Sequence, residues 1–337
     1  MTERRIIIFS FLLIFVVPSI YFSWGSHGVF TFLAVTSIPN FDYLRQVKIT
    51  DYSYVENRKY KEGKYVLYDV LEAGKFKVDA KDDVLSDSGI DVINSFVLPI
   101  QRREIPIWAI FLAYSSFPDN GMDYVEGSSF VDALIGPTQA NRHGYLKVSF
   151  FEYMEGDKSF LHFMKMSKEA FKKGDEYWGY RFLAYAFHYL EDLMQPYHVR
   201  PGTVPELVQF VFDQRIRKML RNAHSAYDDY MTFLLYRSKH KQEFKQLIKD
   251  AKPIVLPVSN EQLIYEAIVY SYSMFFGVHD EIKKAFGSLL FERRIEMEDF
   301  EKAEMEGKLD KLYELTKKLA STLASLIKGI VLSNVPK

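Results

Sequence analysis

The stretch HYLEDLMQPYH, residues 188–198, sets two histidines and two acidic side chains beside a proline, in a chain with 8 histidines in all. His188 and Asp192 are four residues apart, so on a helix they project from one face. His198 follows Pro196, which stops a helix. Downstream, NAHSAYDDYM repeats the spacing with His224 and Asp228. Imidazole nitrogen and carboxylate oxygen are ordinary zinc ligands. Two such pairs on neighbouring helices, joined by His198, can converge on a cluster of metal ions. A single His-x-x-x-Asp pair has a plainer reading, a hydrogen-bonded surface pair that supports its own helix. The repetition and His198 favour the metal.

The elements that must carry these residues are helical in pattern. From Gly174 onward, DEYWGYRFLAYAFHYLEDLM repeats apolar and aromatic residues at three- and four-residue spacing, and Pro196 ends it. SNEQLIYEAIVYSYSMFFGVHDEIKKAF predicts a second helix, with Ser259 and Gln262 in capping-box spacing. After Gly307, the stripe Leu309, Leu312, Leu315, Leu319, Leu323 and Ile327 predicts a core-facing helix. The exception is the region around 48–82, where KYVLYDV and KFKVDA alternate like short strands. No internal repeat or low-complexity linker interrupts the chain. The expected class is all-α, one multi-helix domain over 24–337 with a small strand-containing insertion.

Composition narrows the chemistry. The 337 residues are 48% hydrophobic and 16% aromatic, enough for a substantial core. The net charge of −1 gives no global pull toward nucleic acid or an acidic membrane. With no cysteine, any metal is held by nitrogen and oxygen. At the N-terminus, Arg4 and Arg5 precede an apolar run from Ile6 to Val17 and then Pro18, the layout of a secretory signal peptide over 1–23. Cleavage after Ser23 leaves Trp24 first, although Tyr21 is large for the position three before the cut. The alternative is an uncleaved anchor, because Ile6 to Trp24 is nearly long enough to span a bilayer.

HYLEDLMQPYH resembles the central motif of the zinc-dependent phospholipases C, including the alpha-toxin type, whose superfamily also holds single-strand-specific nucleases. In that family the mature chain begins with a tryptophan whose amine and carbonyl bind zinc. WGSHGVF supplies Trp24 and His27 for the family's terminal tryptophan and first histidine. SSFPDNGMDY supplies Asp119 for an aspartate often preceded by proline, and NRHGYL supplies His143. NAHSAYD supplies His224 and Asp228 for the closing pair. The resemblance runs from Trp24 to about Tyr230. It departs from the family in a short Trp24–His27 spacing, a long segment between His27 and Asp119, and Glu191, which stands where glycine is usual. The helical C-terminal region gives no sign of the β-sandwich that alpha-toxins append.

The resemblance implies three zinc ions. Asp119, His143, His188 and Asp192 would hold one, and His198, His224 and Asp228 a second. Trp24, His27 and a bridging Asp192 would hold the third. It also implies phosphate-ester hydrolysis, since zinc lowers the pKa of bound water and paired metals stabilise attacking and leaving oxygens. Asp119 would be the catalytic residue, a general base, although zinc binding lowers a carboxylate's basicity.

The substrate is less legible. A phospholipase C needs an apolar approach for acyl chains and implies transient membrane contact; a nuclease needs an aromatic platform for a base. Asn120 stands where choline-specific relatives have an aromatic, and Gly144, followed by Tyr145, where nuclease relatives have one. The motif wording favours a phospholipid, with single-stranded nucleic acid as the alternative and no protein partner indicated. An uncleaved N-terminus would instead give a membrane-anchored helical domain with structural zinc. His162, His240 and His279 fit no motif and read as packed or solvated. Asp123 and Asp132 compete with Asp119 as the ligand but read better as turn or cap residues, and Phe117 and Tyr145 read as core rather than as the lining of a substrate pocket. Lys241, Lys245 and Lys249 beside Glu243 read as a solvated helix face.

Overall fold

A computed structural model describes residues 26–50, 53–54, 104–120, 143–148 and 151–336. Trp24, the expected leader or anchor 1–23, Asp123, Asp132 and the strand-like segments KYVLYDV and KFKVDA lie outside the described residues. Among those described, the chain forms twelve α-helices and two short antiparallel ribbons, an all-α fold. β1 (Gln46–Lys48) pairs antiparallel with β2 (Glu104–Pro106), with Val47 opposite Ile105. No helix among the described residues is long and apolar enough to cross a membrane.

The first helices are α1 (His27–Thr36), α2 (Ile107–Tyr114), α3 (Gly156–Lys172) and α4 (Glu176–Leu193). α4 is the axis of the fold, buried from Tyr177 to Leu193 without a break. Its N-cap is Asp175, whose carboxylate accepts from Trp178 N and also from Thr50 and Tyr54. α3 lies along one side of α4 and α2 along another. Aromatic rings fill the seams: Phe163 stacks on Tyr189 and Phe111 on Phe187.

After α4 come α5 (Pro196–Val199), α6 (Val204–Phe212), α7 (Gln214–Tyr236) and α8 (Lys241–Asp250). The rest is α9 (Asn260–Phe286), α10 (Leu289–Glu292), α11 (Met297–Met305) and α12 (Asp310–Asn334). The Ser259 side chain caps α9 at Gln262 N. In α12, Leu312, Leu319, Leu323 and Ile327 are buried, and the helix packs on α1, α8 and α9. One expectation fails: Lys245 is buried, because α8 turns the face bearing Phe244, Lys245 and Ile248 inward against α12 and α1.

α1 and α2 pack closely because α1 has a glycine at the crossing. A Cβ on Gly28 would come 2.3 Å from Leu112 O, a backbone atom that cannot swing away. We expect Gly28→Ala to lower the free energy of unfolding by about 1–3 kcal/mol through overpacking, measured by denaturant titration. An unchanged midpoint would show that the helices separate freely here.

Candidate metal centre

The site is built where α4 ends. His188, Glu191 and Asp192 stand at i, i+3 and i+4, so all three leave one face of its last turn. All three are fully buried. α1 brings His27 with its first residue, the turn after α2 brings Asp119 in a 3₁₀ turn (Pro118–Asn120), and His143 precedes the β3–β4 ribbon (Leu146–Val148, Phe151–Tyr153). α5 supplies His198, and α7 supplies His224 and Asp228 one turn apart. The structure thus gathers His27, Asp119, His143, His188, Asp192, His198, His224 and Asp228 into one cluster.

Asp192 is its hub. Oδ2 lies 2.7 Å from His143 Nδ1 and 3.2 Å from His188 Nε2. Oδ1 faces the other way, 3.2 Å from His198 Nδ1 and 3.6 Å from His27 Nε2. Asp119 also divides its oxygens. Oδ1 is 3.5 Å from His188 Nε2 and 3.6 Å from His143 Nδ1, and Oδ2 is 3.6 Å from His27 Nε2. On the far side, Asp228 Oδ2 is 3.3 Å from His224 Nε2, and Oδ1 is 3.8 Å from His198 Nε2.

Most of these separations are long for hydrogen bonds. They match instead the edges of a coordination shell, since donors about 2.0–2.2 Å from a tetrahedral ion stand roughly 3.3–3.6 Å apart. Three groups have donor atoms within 4.8 Å of one another: His27–Asp119–His188, His143–His188–Asp192 and His198–His224–Asp228. The first differs from the expected partition by drawing His27 to Asp119. Both His198 ring nitrogens, Asp192 Oδ1 and Asp228 Oδ2 are buried without a hydrogen bond. Among the described residues no Lys or Arg pairs with Asp192, Glu191 or Asp228, whose ionic contacts are all with histidine. Buried carboxylates without cationic side chains require a cation or a proton. The three groups are able to hold metal ions.

The surrounding residues set which ring nitrogens face inward. His188 Nδ1 is 2.7 Å from the Ser115 carbonyl oxygen, which can only accept, so Nδ1 carries the proton and Nε2 presents its lone pair. Gln195 donates to Asp228 Oδ1 at 2.6 Å, while its own oxygen accepts from Tyr197 N and caps α5. Tyr197 stacks on His224 with ring centroids 5.7 Å apart. Its hydroxyl is 3.0 Å from His279 Nδ1, and His279 Nε2 is 3.0 Å from Glu206, which also accepts from Lys283. His279 is therefore a packed residue bracing the wall behind His224. Burial works against the Glu206 charge, but hydrogen bonds from His279, Lys283 and Thr203 hold its carboxyl well below the usual range.

Ser115, Gln195 and Glu191 were not expected as site residues. A backbone acceptor leaves no mark in a sequence, and Gln195 reads as a turn residue before proline. Glu191 could have been found from its helix face.

Electrostatics divides the cluster. Burial keeps His27 and His224 neutral by pushing them well below the ordinary histidine value. Against burial, Asp192 and Asp228 raise His198. Burial lifts the Asp228 carboxyl to about 8 and drives Glu191 well above its ordinary value. Burial also opposes the Asp192 charge, yet His188, His198 and His143 hold its carboxyl well below the usual range. At the mouth, the Asp119 and His143 side chains are 13% and 11% exposed, whereas those of His27 and His188 are closed off.

No family model matches the chain, and no curated protein matches it.

Two outcomes follow for the metal. Asp192→Asn should cost more bound metal than Asp228→Asn, because Asp192 serves donors on both sides, while Asp228 serves one group; elemental analysis of dialysed protein reads this. Equal losses would mean that Asp192 is no hub. Metal binding at pH 7 should also release about one proton or more per chain. Asp228, with its carboxyl near 8, must lose its proton to bind, and the release should fall as pH passes that value. Calorimetry in buffers of different ionisation enthalpy measures it, and no release at pH 7 would contradict the assignment.

Proposed function

We propose that this chain is an exported, zinc-dependent phosphodiesterase of the phospholipase C type, acting on phospholipids. The observation that carries the reading is the meeting of eight of its nine expected ligands in one buried cluster with donor separations suited to metal ions. Those eight come from five separate stretches of chain, and a hydrogen-bonded surface pair would need none of the others.

The ninth ligand is Trp24. Ser26 is tied to Thr232 by a 2.8 Å hydroxyl contact beside His27. Trp24 lies three residues before His27 in the chain. Cleavage after Ser23 would supply the free amine.

Zinc bound here would supply Lewis acidity and a water acidified toward neutrality. The chain's own residues have separate tasks. His188, with its tautomer set by Ser115, offers Nε2 inward. Asp228, oriented by Gln195, completes the group with His198 and His224. Asp119, at the accessible side, is the carboxylate nearest an entering phosphate and the candidate to move a proton there.

Two observations support a lipid substrate over single-stranded nucleic acid. A Cβ on Gly144 would meet His198 O at 2.9 Å and Met154 Sδ at 2.6 Å, so the position after His143 has no room for a stacking side chain. Tyr145, the next residue, is buried with its backbone N–H on His198 O, and so offers no open face to a base. In addition, Val204, Val208 and Phe212 form an exposed apolar stripe along α6, which suits contact with a lipid surface.

The test pairs metal analysis of the mature protein with hydrolysis of phosphatidylcholine and of single-stranded DNA. We expect zinc in each of the three groups, phosphocholine release that stops on chelation, and no DNA cleavage. Asp119→Asn should reduce release on the order of 10²-fold or more. DNA cleavage instead would move the chain to the nuclease branch. Bound metal without hydrolysis of either would leave a zinc-stabilised helical domain and overturn the enzyme reading. N-terminal sequencing that starts elsewhere than Trp24 would remove the ninth ligand.

A further inference from the structure

We infer that Glu191 is a positioning residue for the metal cluster: its carboxylate accepts the Nδ1 proton of His27 and so turns the His27 Nε2 lone pair toward Asp119 and Asp192. The inference rests on the metal-binding reading of this site. It concerns a residue that the resemblance to phospholipases leaves without a role.

The geometry is specific. Glu191 is fully buried on the last turn of α4. Its Oε2 lies 2.5 Å from His27 Nδ1, and its Oε1 accepts from Thr31 Oγ1 at 2.5 Å. His27 and Thr31 are one turn apart on α1, so one carboxylate spans the face that α1 turns toward α4. Glu191 belongs to none of the three groups of donor atoms that could hold a metal, which separates it from the ligands themselves. A neutral imidazole has one N–H and one acceptor nitrogen. With Glu191 ionised, both its oxygens can only accept, so the proton lies on Nδ1 and Nε2 is the acceptor. It stands 3.6 Å from Asp119 Oδ2 and 3.6 Å from Asp192 Oδ1, two oxygens with which it makes no hydrogen bond. A nitrogen lone pair facing two carboxylate oxygens across that gap is arranged for a cation between them.

His188 provides an internal comparison. Its ring is 4.1 Å from that of His27, and its Nδ1 is held by a neutral carbonyl, Ser115 O. Glu191 does for His27 what Ser115 does for His188, but with a carboxylate. A carboxylate behind an imidazole raises its basicity as a ligand, and loss of such a partner typically weakens metal binding about 10- to 100-fold.

The test uses the full mature chain and zinc alone. Zinc stoichiometry and release to a chelator are measured for the wild type, Glu191→Gln and Glu191→Ala. We expect E191A to lose one equivalent of zinc, or to bind it about 10- to 100-fold more weakly. E191Q, which keeps an acceptor for Nδ1–H, should hold that equivalent with a smaller loss. The other sites should be unchanged in both. Uniform weakening of every zinc, or wild-type retention in both variants, would overturn the role. Because E191A leaves a cavity and could fail to fold, a second measurement needs no variant. Nitrogen NMR of histidine-labelled wild-type protein should show His27 protonated at Nδ1, and protonation at Nε2 would overturn the inference. If the wild type binds no zinc while His27 is still the Nδ1–H form, the metal reading fails and the contact is merely structural.

Discussion

The constraint on which the structure turns is carboxylate buried with no lysine or arginine, among the described residues, to match it. Asp192, Glu191 and Asp228 sit inside the helical body, and their partners are imidazoles, a threonine hydroxyl and a glutamine amide. An ionised carboxylate in such surroundings is costly unless a cation or proton accompanies it. Asp192 and Glu191 also stand at the C-terminal end of α4, where the helix dipole adds further negative potential. The resulting field favours a cation at the centre of the cluster and draws protons when none is present. The carboxyls divide accordingly: Asp192, held by His188, His198 and His143, keeps its charge, whereas burial lifts those of Asp228 and Glu191.

Holding several donors around a shared point requires rings that cannot rotate away. Three of the five histidines in the cluster are fixed by something other than the metal they would bind. Ser115 O holds His188, Glu191 holds His27, and the Tyr197 ring lies over His224. Behind Tyr197, the chain of His279, Glu206 and Lys283 ties α5 to α6 and α9. Packing serves the same end. α4 is enclosed along seventeen consecutive residues, Tyr177 to Leu193, so its last turn has a fixed place from which to project carboxylates.

The parts of this arrangement that follow helical periodicity were legible in the sequence. The pairs His188/Asp192 and His224/Asp228 needed only a four-residue spacing, and the α12 stripe needed only its leucines. Glu191 stood in view beside Asp192, but its partner is His27, 164 residues away, and spacing does not report contacts between distant segments. Ser115 acts through its carbonyl, which every residue possesses. Lys245 departs from the solvated-face expectation because charge does not fix exposure, and a lysine on the inward face of α8 follows that face. Gly144 is legible only as an absence of side chain; its reason is the close approach of His198 O.

Pro196 explains why HYLEDLMQPYH has its particular form. On an unbroken helix, His188 and His198 would be about 15 Å apart along the axis, too far to share a carboxylate. The chain instead leaves helical geometry at Gln195, with φ −85° and ψ 117°, and restarts at Pro196, whose missing N–H costs nothing at the first position of α5. The restart swings His198 back until its Nδ1 lies 3.2 Å from Asp192 Oδ1, opposite the oxygen that faces His188. Gln195 both caps the new helix and steers Asp228 toward His198. The proline between the two histidines therefore makes one aspartate their common partner. The break in the helix, as much as the donors on either side of it, builds the cluster.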